Sequence, residues 1–201
     1  MVLTTPKSAK NIKILLGLLL MIILNSCNNT NKVESKQTVI SIEETPPIPP
    51  QNQQILDYVA QHGYDIAPTY YTAVCTEFVV KVIEHFTPLT KLDKKRINIV
   101  TNQDIGKLRE QQSPIIKGVQ YALVAANKGT AINDLKEVRP GDFFQMWFNT
   151  DKTYNIGHCG IVKEINLITN QIIIYSSDPS TNGFGKMVLT IPNQCYFVRM
   201  N

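Results

Sequence analysis

A chain of 201 residues, 43% hydrophobic and 18% charged, is long enough for one domain with a proper core, and its formal net charge of +4 suggests a mildly basic protein. That basicity is local. Residues 1–26 hold Lys7, Lys10 and Lys13 and no acid, so of 20 basic residues 17 remain against 16 acidic ones, a net +1 for the rest of the chain. No basic stripe interleaved with aromatics is present, and nucleic acid is excluded as a partner.

The N-terminus reads as an export signal. Three lysines precede an apolar run over residues 14–24, well short of the about twenty residues that span a bilayer. Leu24-Asn25-Ser26-Cys27 follows and resembles the lipobox of bacterial lipoproteins. The resemblance implies a signal peptide over 1–26, lipid on Cys27, and a mature protein exported and held on the cell envelope, on its periplasmic side or outer membrane. An uncleaved membrane anchor is the alternative reading. Residues 27–50 are polar and end in Thr45-Pro46-Pro47-Ile48-Pro49-Pro50, which predicts a disordered, Pro-stiffened tether. The domain then occupies 51–201.

Its first half has helical periodicity. Ile55, Leu56, Val59 and Ala60 predict a helix over 53–61, with Gly63 as its C-cap. In the next, Val74, Phe78, Val82 and Phe86 recur every fourth residue beside Val79 and Ile83, with Cys75 in the first turn and Pro88 beyond the end. A polar stretch leads to Thr101-Asn102-Gln103-Asp104, which predicts a short helix start, and Ser113-Pro114 predicts a longer helix that buries Ile115, Val119, Leu123 and Ala126 and closes at Gly129. The period then changes. Strands are predicted over 143–148, 158–167, 171–177, 186–191 and 195–200, with turns at 149–151 and 169–170. Helices followed by a meandering antiparallel sheet are an α+β plan of N-terminal helices packed on five to six strands.

Two residues carry the chemistry. A thiol at a helix N-terminus feels the positive end of the macrodipole and unpaired N–H groups, which favour thiolate, so Cys75 is the candidate nucleophile. His158, opening a strand in Gly157-His158-Cys159-Gly160-Ile161-Val162, is the candidate base. Strand alternation predicts that His158 and Cys159 point to opposite faces, and that Gly160 leaves room for another group's approach. His62 and His85 lie near helix C-termini and receive no chemistry. Asp142 reads as a turn residue, and Trp147 with Phe143, Phe144 and Phe148 as core with some groove lining. A disulfide between Cys159 and Cys195 and a pair of buried thiols are both open. Metal-ligand spacings are missing, and no cofactor or metal is expected.

Three patches resemble the NlpC and CHAP cysteine peptidases and amidases of bacterial cell walls: Cys75-Thr76-Glu77-Phe78-Val79, Arg139-Pro140-Gly141-Asp142-Phe143-Phe144-Gln145-Met146-Trp147, and the histidine strand. The resemblance implies a papain-like fold and hydrolysis of peptidoglycan amides, with Cys75 as nucleophile, His158 as base and then acid, and the Cys75 N–H holding the oxyanion. It also implies a third polar group from the next strand, where Asp178, Ser176 and Ser177 are the candidates, and substrate contact by Tyr70 or Tyr71. The family's Asp-Cys-Ser-Gly is Val74-Cys75-Thr76-Glu77 here, and its usual third residue is not evident. A non-catalytic peptidoglycan- or partner-binding module, and a Cys-His acyltransferase or thioesterase, are the alternatives.

Overall fold

Proline sets the first boundary: Pro49 in an extended conformation precedes Pro50 at the first helical position, where its missing N–H costs nothing. The computed structural model describes residues 46–149 and 155–201. The predicted signal peptide, Cys27, nearly all of the tether and residues 150–151 of the predicted turn lie outside them. All described residues belong to one compact unit, and none of its helices is long and apolar enough to cross a membrane.

Five helices come first: α1 (Pro50–Ile66), α2 (Cys75–Phe86), α3 (Lys91–Ile97), α4 (Ile105–Glu110) and α5 (Val119–Ala125). Six strands follow: β1 (Gly129–Ile132), β2 (Phe143–Asn149), β3 (Asn155–Asn166), β4 (Gln171–Asp178), β5 (Gly183–Thr190) and β6 (Gln194–Met200). They form one antiparallel sheet in the order β1-β6-β2-β3-β4-β5. The fold is α+β, helices before sheet, as expected.

Several boundaries differ from the sequence reading, each for a local reason. Gly63 does not end α1; it lies within it, where any Cβ would run into the Phe184 ring, so the glycine serves packing rather than capping. The polar stretch after Pro88 holds α3, nucleated by a capping box in which Thr90 Oγ1 accepts from Asp93 N–H (3.1 Å) and Asp93 Oδ2 from Thr90 N–H (3.0 Å). Asp104 caps α4, accepting from Lys107 N–H at 2.8 Å. The long helix expected from Ser113 is broken instead. A 3-10 turn over Pro114–Lys117 ends at Gly118, whose φ of +48° lets the chain restart as α5. α5 stops before Gly129 because Asn127 takes the left-handed conformation (φ +54°), and Gly129 opens β1 rather than closing a helix.

The sheet is buried on both sides. Phe143, Cys159, Ile161, Tyr175 and Val198 pack under Ile55, Val59, Phe78, Val79, Val82 and Ile83 of α1 and α2. On the other side Phe144, Met146, Val162, Ile172, Ile174 and Phe197 form a second core, completed by Ile132, Val138 and Ile191. This is why β2 reads as a nearly unbroken aromatic run: Phe143 and Phe144 each fill a core.

Asp142 is more than a turn residue. It follows Gly141 (φ +88°) and is wholly buried. Its carboxylate accepts from Arg199 Nε and Nη2 (2.8 Å each), Asn52 Nδ2 (2.7 Å) and Arg139 N–H (2.7 Å). One side chain thus joins α1, the turn into β2, and β6. Removing the carboxylate would leave buried Asn52 Nδ2 short of an acceptor, a cost of about 1–3 kcal/mol, while Arg199, 30% exposed, can turn to water.

Candidate active site

The position of Cys75, the candidate nucleophile, follows from how α2 begins. Val74 occupies the N-cap with extended backbone, and the first helical bond is Phe78 N–H to Val74 C=O (2.9 Å). A valine side chain offers no acceptor, so the amides before Phe78 are left out of the helical ladder and uncapped by it. Glu77 reaches back instead, its Oε2 accepting from Val74 N–H at 3.2 Å, which fixes the entry of the chain. Cys75 is the first residue of α2 and half-buried.

Its thiol is pulled down to about 4. The largest cause is the Cys159 side chain; burial opposes the shift, and the His158 ring and its charge add to the lowering. Cys75 and His158, 83 positions apart in the chain, line the same cleft. His158 and Cys159 are expected on opposite faces of β3, yet both lower the Cys75 thiol. Alternation does hold along β3, since Cys159 and Ile161 sit in the core under α2 while Val162 belongs to the other. The ladder between β3 and β4, however, runs only from Ile161↔Tyr175 to Asn166↔Gln171, so residues 155–160 are paired on the β2 side alone. At that open margin the sulfur interacts with side chains from both faces of the strand.

Gly160 marks the place. The group that approaches it is the β4 backbone, since a Cβ there would collide with the Tyr175 carbonyl and press on Phe144 and Ser176. Ser176 substitutes for the missing ladder bond, donating to Cys159 C=O at 2.7 Å. Its neighbour Ser177 donates to Ala73 C=O, two residues before the nucleophile, at 2.5 Å. Both hydroxyls are wholly buried and committed to backbone, so of the three candidates Asp178 alone has a side chain that faces the His158 ring. Ser180 holds one oxygen of Asp178, with N–H and Oγ at 2.8 and 2.6 Å from Oδ1. The other, Oδ2, lies 4.0 Å from His158 Nδ1, and His158 Nε2 is buried without a hydrogen-bond partner. Catalytic hydrogen bonds are often long before substrate binds.

Of the two tyrosines only Tyr70 belongs here. Burial raises its hydroxyl, with the Cys75, Asp178 and Cys159 charges adding to the rise, whereas Tyr71 is 94% exposed. Cys75 and His158 open into a cleft of about 260 Å³ lined also by Thr76, Gln145, Trp147 and Ile99. Gln145 was missed in the sequence. Its signal was a polar residue inside the aromatic run of β2; it is 2% exposed, and Nε2 donates to Met146 C=O at 3.1 Å. Ile99 forms part of the wall with φ +51°, a conformation costly for a β-branched residue.

The expected alternative of a Cys159–Cys195 disulfide is not realised. β2 lies between the two strands, and Cys195 packs with the second core while Cys159 packs with the first. Cys75, Cys159 and Cys195 are all free thiols. Among the described residues no group of three or more ligating side chains is arranged to hold a metal ion. No family model matches the chain, and neither does any curated protein or solved structure.

Proposed function

We propose that the domain is a cysteine amidohydrolase of peptidoglycan, a papain-like enzyme of the NlpC and CHAP kind, held on the cell envelope by lipid at Cys27. One observation carries the reading: a thiol held at about 4 at the uncapped start of a helix, in contact with an imidazole and open to a cleft. The Cys75 thiolate attacks the substrate carbonyl. The oxyanion forms against the Cys75 N–H, with the Gln145 carboxamide on the same cleft wall, and each well-placed donor contributes roughly 3–4 kcal/mol in acyl transfer. His158 gives its proton to the leaving amine, then takes one from the water that cleaves the thioester. Asp178 stabilises the ring while it is charged, and Tyr70 borders the site on the upstream side.

The envelope location is supported by the basic start, the short apolar run and the small residue before Cys27. Purified protein incubated with peptidoglycan tests the activity. New amine ends are expected from wild type and none above background from Cys75→Ala. Equal release from both defeats the hydrolase reading, and a fatty acyl group found on Cys75 by mass analysis would favour acyl transfer.

A further inference from the structure

The space in front of Cys75 does not end at Ile99. Asn98 and Ile99 of the α3–α4 connection border the cleft, and Ile99 also borders a second cavity of about 570 Å³, so one side chain stands on the boundary of both. Its left-handed backbone (φ +51°) is strained for a β-branched residue, as happens where position matters more than stability. The second cavity lies between α3, the connection and Tyr121 of α5. Leu92 and Val100 line it and remain 54% and 65% exposed, apolar surface left for something to cover. Its charges are of one sign. Lys95 and Arg96 line it, and no acidic residue among the described ones does. The Arg96 guanidinium stands over the Tyr121 ring, 4.8 Å from the centroid, which holds its planar fork of donors in place. The Asp93 carboxylate is 3.7 Å from Arg96 Nη1, beyond a hydrogen bond, and is engaged by Thr90 and Lys128. An incoming carboxylate meets Arg96 without displacing another acid.

We propose that this cavity is a substrate subsite for a free carboxylate on an aliphatic residue of the peptide, remote from the amide being cut, with Arg96 as its bidentate anchor and Lys95 as a supporting charge. The site rests on the hydrolase reading for its substrate and adds what is selected along the peptide. The aliphatic portion covers Leu92, Ile99 and Val100, and the carboxylate faces the guanidinium, which matches it in plane and charge. An amide at that place brings N–H groups toward the Arg96 donors and no charge, so amidated peptides are rejected. Because Ile99 is shared, a peptide passing over it occupies the catalytic cleft on one side and the basic cavity on the other. Binding energy gained away from the scissile bond then holds the carbonyl at Cys75.

Full-length Cys75→Ala protein in detergent micelles is titrated by calorimetry with muropeptides released from peptidoglycan by a muramidase, their carboxylates either free or converted to amides with carbodiimide and ammonia. The free form is expected to bind about tenfold more tightly, the worth of one charge-assisted contact. Arg96→Gln on the same background should weaken the free form by about tenfold and leave the amidated form unchanged. Lys95→Gln, at an exposed position of α3, should act in the same direction more weakly. Equal affinity for the two forms, no measurable binding of the free form, or an Arg96→Gln that weakens both alike or neither overturns the proposal. If Arg96→Gln fails to fold by circular dichroism, Lys95→Gln and the comparison of the two forms decide. Binding involves no cleavage, so amine release by the wild type reports separately: release without selectivity removes the subsite alone, and Arg96-dependent binding without release removes hydrolysis alone.

Discussion

The ionisation of Cys75 can be read directly from how fast it is alkylated across pH. An ordinary thiol near 8.5 is a few per cent thiolate at pH 7, whereas a thiol held at about 4 is ionised almost completely. That raises the reactive fraction by about thirtyfold. Nucleophilicity falls with pKa, however, with a Brønsted slope of about 0.4–0.5, so a drop of this size slows each thiolate by about a hundredfold. The two effects nearly cancel, with the slower thiolate slightly ahead, and the absolute rate at neutrality says little. The shape of the profile decides. The folded value lies below the unfolded one, so thiolate is present above about 4 and is lost as pH falls through it. Carbamidomethylation of Cys75, followed by mass spectrometry with circular dichroism to verify folding, is expected to be flat from pH 9 to about 5 and to decline with a midpoint near 4. In Cys159→Ala the midpoint should move up, because the largest lowering contact is gone, and in His158→Ala it should also rise. A wild-type rate that climbs tenfold per pH unit through neutrality would refute the contact between the three side chains.

Four further outcomes are expected. Asp142→Ala should cost about 1–3 kcal/mol in urea unfolding, since buried Asn52 loses its acceptor while Arg199 is partly exposed; an unchanged unfolding midpoint would show the carboxylate to be incidental. Gly160→Ala should destabilise by about 1–3 kcal/mol through overpacking against Tyr175 and should slow Cys75-dependent hydrolysis, measured side by side on one preparation. Asp178→Asn should lower kcat by about tenfold or more with KM little changed, and unaltered kcat would remove Asp178 from the site. Val74→Ser supplies the missing cap, so thermal unfolding should shift upward by about 1 kcal/mol of stability while the Cys75 alkylation midpoint rises; a midpoint that stays put would mean the free amides do not help the thiolate.

What could be read from the sequence was local. α2 shows in the four-residue recurrence of Val74, Phe78, Val82 and Phe86, and β2 to β6 in their apolar runs, because burial of a face writes a period into the chain. α3 escaped because its start is signalled by the Thr90–Asp93 reciprocal bonds rather than by an apolar stripe, and β1 because four residues after a glycine look like the end of the preceding helix. Gly63 and Gly118 mislead for one reason: composition does not say whether a glycine packs inside a helix, as Gly63 does against Phe184, or turns it by a positive φ, as Gly118 does. Asp142 with Arg199 spans 57 positions and leaves no periodic trace. The meeting of Cys159 with Cys75 was hidden by a sound rule. Alternation assigns faces correctly along β3 but does not say where the sheet has an open margin, and that depends on the β4 register.

That register has a mechanical consequence. Adjacent serines on β4 fasten the two halves of the reactive pair, Ser176 to the backbone of the histidine strand and Ser177 to the segment leading into the nucleophile. The gap between sulfur and ring is thus gauged by the pleat of a single dipeptide, acting as a caliper whose jaws are set at consecutive residues. A shift of either serine relative to the other would therefore change the spacing of the jaws at once.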